Sequence, residues 1–129
     1  MDRKLAKILC IDDSSVFLDL LVYSLNDGGY IDIDAVESPL DALKLIEITK
    51  YDLILVDLHM PEINGIELIE KIRKKIEYIK TPILMITSEH CTEIKYTAKS
   101  AGATGWIVKP FYPKQLIKAI DMCTHNLVD

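Results

Sequence analysis

The sequence predicts an α/β fold, in which five short strands form a parallel sheet and five helices cover its faces. Three observations carry that prediction. Short apolar runs alternate strictly with segments whose apolar residues recur at helical spacing. The middle runs, LILV at 53–56 and ILMI at 83–86, are apolar without a break, as in strands buried on both faces. Repeated strand–helix–strand order then requires right-handed crossovers between parallel strands.

The first strand spans residues 7–12 (KILCID), and a helix follows over residues 14–26. Val16, Leu20, Val22 and Leu25 supply the helix's apolar face, and Asp27-Gly28-Gly29 stops it. Residues 31–36 alternate, with Asp32 and Asp34 on a wetter face, and read as an edge strand. Ser38 caps a helix that begins at Pro39 and runs to about Thr49. The third strand, 53–57, precedes a helix over 65–75 with Ile66, Ile69, Ile72 and, just beyond, Ile76 on one side. Residues 82–87 (PILMIT) form the fourth strand and 89–100 a less apolar helix. The fifth strand, 105–109 (GWIVK), leads to a closing helix over 112–124 with Leu116, Ile117, Ile120 and Cys123 inward.

Composition narrows the functional classes. The 129 residues are 50% hydrophobic and 27% charged, enough apolar material for one domain with its own core. A net charge of −5 argues against nucleic acid as an electrostatic partner. The basic run at 71–75 is interleaved with Glu67, Glu70 and Glu77 and reads as a solvated helix face. Cys10, Cys91 and Cys123 form no CxxC pair, which suits a reducing compartment, and Cys10 reads as a buried hydrophobe. Asp12-Asp13 cuts the first apolar run too soon for a signal peptide, and no stretch suits a membrane span. The expectation is a single cytoplasmic domain over 1–129 with no output domain.

The strand ends point to chemistry. The first ends in Asp12-Asp13, the third in Asp57, the fourth in Thr87-Ser88 and the fifth in Lys109. Parallel strands bring all their C-terminal ends to one edge, where ligands bind. Taken singly, each residue has an ordinary use: the acidic pair or Thr87-Ser88 as a helix cap, Asp57 in a turn, Lys109 as a solvated charge. Together, three crowded carboxylates call for protonation or a cation. Hard oxygen donors without a histidine or cysteine cluster favour Mg²⁺. With a lysine and hydroxyls added, this is a phosphoryl-transfer site in which Asp57 can become an aspartyl phosphate.

The segments ILCIDDS, LILVDLHMPEINGIELI, ILMITS and GATGWIVKPF resemble a response-regulator receiver domain of the stand-alone chemotaxis type, across nearly the whole chain. The resemblance implies a doubly wound sheet of order 2-1-3-4-5. It implies that Asp57 accepts a phosphoryl group from a histidine kinase and that Asp13, Asp57 and the His59 main-chain carbonyl ligate Mg²⁺. Asp12 would act mainly through water, Thr87 would hydrogen-bond the phosphoryl oxygens, and Lys109 would pair with them across a cis Lys109–Pro110 peptide. Trp106 stands where the family couples an aromatic rotamer to Thr87, although by residue type alone it also reads as packing bulk. The face read by partners would span 95–118, on the fourth helix, fifth strand and fifth helix. The target would be a flagellar-motor switch component or, outside chemotaxis, a phosphotransfer protein.

His59 and Glu89 lie where the family tunes water access, and Ser88 stands where it prefers alanine or glycine, so all three bear on reaction rate. His90 and His125 form no metal-ligand spacing with His59. Two other activities on such a fold fit less well. A flavin carrier needs a glycine- and hydroxyl-rich loop where Asp12-Asp13 stand, and an aspartyl phosphatase needs a second carboxylate where His59 stands. A receiver used only for docking is the remaining alternative.

Overall fold

The computed structural model describes residues 2–124. The strands are β1 (Lys7–Ile11), β2 (Asp32–Val36), β3 (Leu53–Val56), β4 (Ile83–Thr87) and β5 (Gly105–Val108). The helices are α1 (Ser15–Asp27), α2 (Pro39–Ile48), α3 (Gly65–Arg73), α4 (Thr92–Ala101) and α5 (Pro113–Cys123), with a 3₁₀ turn at Ile76–Tyr78 after α3. All neighbouring strands are parallel, and their order is β2-β1-β3-β4-β5.

Strand alternation divides the core into two layers. Leu9, Ile11, Ile54, Val56, Ile83 and Met85 face α2, α3 and α4, meeting Ala42, Ile46, Leu68, Ile69, Ile72 and Ala98. Ile8, Cys10, Leu53, Leu55, Leu84 and Ile86 face α1 and α5, meeting Leu18, Leu21, Leu25, Leu116 and Ile120. Each fully buried leucine or isoleucine contributes about 1.5–3 kcal/mol relative to exposure. β3 and β4 are buried at every position because helices cover both their faces.

The helix starts follow local chemistry. Ser38 accepts from the amides of Leu40 and Asp41, with Pro39 at the first helical position. Asn64 and Glu67 form a reciprocal capping box at the start of α3.

Four expectations are corrected. On α1, Val16 and Leu20 face solvent, Val16 at 78% exposure, while Leu18, Leu21 and Leu25 are buried. The apolar residues of α1 surround the helix, so spacing alone did not single out the buried face. Ile76 belongs to the 3₁₀ turn and is 80% exposed instead of extending the α3 stripe. Arg73, at the end of α3, is no solvated charge: it donates to the carbonyls of Tyr78, Thr81 and Gly102. Finally, α4 starts at Thr92, not at Glu89. The Glu89 amide donates to Thr87 Oγ1 and the Glu89 carboxylate accepts from the Cys91 amide, so these polar groups form turns before the helix begins.

Candidate functional site

The site sits on the C-terminal rim of the sheet, and its residues continue the ladder. The Asp12 amide donates to Val36 O (3.2 Å), the Asp57 amide to Ile11 O (3.0 Å) and the Lys109 amide to Thr87 O (2.9 Å). The side chains of Asp12, Asp57 and Lys109 are therefore mounted on backbone that a neighbouring strand holds. The exit from β3 is equally constrained, because α3 starts against it. A Cβ at Gly65 would run into the carbonyl oxygen of Asp57 and stand 3.0 Å from the Leu58 Cα, so glycine is required for that approach.

Asp12, Asp13 and Asp57 each offer an oxygen, and the three oxygens lie within 4.8 Å of one another. Asp12 is 2% and Asp57 7% exposed, while Asp13 is open to solvent. One Asp12 oxygen accepts from the Ser14 amide at 2.9 Å, and the other takes the Lys109 ammonium at 2.6 Å. Asp57 Oδ1 accepts from the Leu58 amide at 2.8 Å, while Oδ2 lies 3.6 Å from Lys109 Nζ. The Lys109–Pro110 peptide is cis.

Burial pushes the Asp57 carboxyl above its ordinary range, and the neighbouring Asp12 charge pushes the same way. Lys109, the Thr87 hydroxyl and the Leu58 amide pull it back without cancelling the rise. The negative charge is thus undercompensated by the groups around it. Three hard oxygen donors, one facing water and two buried, fit a small divalent cation that keeps part of its hydration.

Thr87 is fully buried at the end of β4, with its hydroxyl beside Asp57 and accepting from the Glu89 amide at 3.3 Å. Ser88 is exposed. His59 Nε2 and Glu89 Oε2 lie 3.3 Å apart, bridging the loops after β3 and β4. Trp106 lies outside this cluster. It packs against the layer under α3 and α4, with its indole nitrogen buried and unpartnered and the Lys95 ammonium 5.8 Å from its ring centroid. His125 lies outside the described residues.

One neighbour of the site was missed in the sequence. The Phe17 ring lies under the Lys109 ammonium, whose nitrogen is 3.7 Å from the ring centroid. Phe17 is in the first turn of α1, and helical side chains lean toward the helix N-terminus, here toward the rim. That lean was the available signal.

A family model described as the response regulator receiver domain matches residues 8–121. The chain is 33% identical over 117 residues to chemotaxis protein CheY1 of Helicobacter pylori, covering 90% of this chain and 94% of that one. It is 35% identical to chemotaxis protein CheY-3 of Vibrio cholerae, covering 97% and 96% respectively. Among solved structures, chemotaxis protein CheY4 of Vibrio cholerae superposes with a TM-score of 0.87 at 36% identity, over 92% of this chain and 98% of that one. A CheY-like receiver domain protein from Methanospirillum hungatei gives 0.87 at 29% identity, over 95% of each chain. With the strand order and the rim carboxylates, these similarities show that the chain belongs to the response regulator receiver domain family.

Proposed function

We propose that the chain is a phosphorylation-driven signalling switch, in which Asp57 takes a phosphoryl group from the phosphohistidine of a partner kinase. The observation that carries this reading is the meeting of Asp12, Asp13, Asp57 and Lys109 at one rim, where burial and the Asp12 charge raise the Asp57 carboxyl above its ordinary range. A carboxylate oxygen of Asp57 forms the new O–P bond as the N–P bond breaks, and the imidazole leaves with the electron pair. Mg²⁺, held by Asp13, Asp57 and the His59 carbonyl with Asp12 acting through water, would offset the charge gathering on the phosphoryl oxygens. The Leu58 amide fixes one oxygen of Asp57 before any donor arrives.

The product carries nearly two negative charges close to Lys109 and Thr87. Lys109 pairs with the phosphoryl oxygens, and the Thr87 hydroxyl donates to one of them. Thr87 is tied to the Glu89 amide, so its movement draws on the loop leading into α4. Trp106, in β5 and packed against the layer under α3 and α4, takes up the displaced space. The face over 95–118 then reads out the change. Tyr96 and Tyr112 are exposed there, and Ile107, Lys118, Ala119 and Met122 line a shallow cleft between β5 and α5.

The relatives' names support chemotaxis; in that reading the target is a flagellar-motor switch component and the compartment is the cytoplasm. A phosphotransfer protein is the corresponding target in another relay. The chain acts as its own catalyst for phosphorylation and for slow loss of the phosphoryl group, with His59, Ser88 and Glu89 setting the rates.

The test is incubation with Mg²⁺ and acetyl phosphate, read by intact mass and Trp106 fluorescence. The expected result is one phosphate adduct, absent in Asp57→Asn, together with Mg²⁺-dependent quenching. No adduct and no quenching would leave a receiver used only for docking.

A further inference from the structure

Lys109 carries its charge on a flexible four-carbon stem, yet its ammonium is closely confined. Asp12 lies 2.6 Å away and Asp57 3.6 Å away, and the side chain is only 18% exposed. The third neighbour carries no charge: it is the Phe17 ring, 3.7 Å from nitrogen to centroid. Phe111 meets that ring edge-on, with centroids 5.8 Å apart and planes at 83°. The ring is braced at its backbone too, because the Phe17 amide donates to Ser14 Oγ at 3.2 Å. An ammonium in contact with an aromatic face and largely withdrawn from water is where this attraction is strongest.

The carboxylates and the ring respond differently to chemistry at the site. A cation bound among the aspartates weakens the pull of Asp12 and Asp57 on the ammonium, and a phosphoryl group on Asp57 redistributes it. The quadrupole of the Phe17 ring is unchanged by either event. We propose that Phe17 is a positioning residue for Lys109: its face holds the ammonium beside Asp57 in every charge state of the aspartates. The lysine is then already placed when the phosphoryl group arrives. The effect on rate rests on the reading of Asp57 as phosphoryl acceptor, whereas the contact itself does not.

Two variants separate this role from simple packing. Phe17→Leu keeps apolar bulk without a ring face, and Phe17→Tyr keeps the face. The first readout is the NMR shift of the Lys109 methylene protons next to the ammonium. These should be displaced upfield by the ring in the wild-type chain, with and without saturating Mg²⁺, and in the tyrosine variant, but not in the leucine variant. The second readout is phosphorylation by acetyl phosphate. Phe17→Leu should lower the maximal rate about tenfold, the size of a well-desolvated cation–π contact. Its half-saturating donor concentration should stay within about twofold of wild type, and Phe17→Tyr should restore the rate.

The proposal is overturned if the upfield shift is absent or disappears with Mg²⁺. It is also overturned if Phe17→Leu runs at full rate, or if both variants slow equally. Should the leucine variant not fold, the wild-type shift and the tyrosine rate decide. If the wild-type chain takes no phosphoryl group, the proposed function fails, and the shift still decides whether Phe17 holds Lys109.

Discussion

At Asp57 the surroundings oppose the charge. Burial, then Asp12, raise its carboxyl above the ordinary value of 3.8, more than Lys109, Thr87 and the Leu58 amide lower it. A raised acid holds its proton more tightly folded than unfolded. Its favourable contribution to folding is therefore full below 3.8 and is lost as pH rises through the raised value. Asp57→Asn keeps the shape and removes the charge. In chelator at pH 7 it should unfold at a higher urea concentration than wild type, with the gap closing by about pH 3. A gap independent of pH would trace the effect to packing instead. Asp57 was legible as a candidate because an unbroken apolar strand runs into it. Phe17 was not, because an aromatic in a largely apolar helix looks like core material until its direction is known.

Helices were harder to read at their surfaces than at their starts. The caps at Ser38 and Asn64 depend on residues within three positions. The role of Arg73 depends on carbonyls at Tyr78, Thr81 and Gly102, which only the folded chain brings together. The same long reach gives a prediction for α3. Arg73→Lys keeps the charge, but one ammonium cannot replace a planar fork that ties the end of α3 to the approach to β4 and the end of α4. It should lower stability by about 2 kcal/mol in a urea melt, the order of leaving buried carbonyls underserved. An unchanged midpoint would mean that water replaces the clamp freely. The late start of α4 was missed for a related reason. Thr87 and Ser88 look like capping residues, but the groups around them close turns between Thr87 and Cys91.

Across the whole molecule, strand count and direction were legible because alternation with helices permits few other arrangements. The lateral order was not, since several orders bury the same apolar strands, and resemblance supplied it. Assembling the sheet makes one site from the ends of four strands, so folding and cation binding are linked. Mg²⁺ at ten times its dissociation constant should add about 1.4 kcal/mol to stability, about 5 °C in Tm for a domain of this size. Asp13→Asn and Asp57→Asn should each reduce that gain in a calorimetric scan.

The backbone bonds from Asp12 to Val36, Asp57 to Ile11 and Lys109 to Thr87 place the reactive groups on the rungs of the sheet. The surface a partner would read belongs largely to helices on the flank. Chemistry and address are thus written on different parts of one short chain. In the proposed reading, the outer faces of α4 and α5 can be rewritten for a new listener while the message stays the same, whereas a slip of one rung between β1 and β3 would erase it.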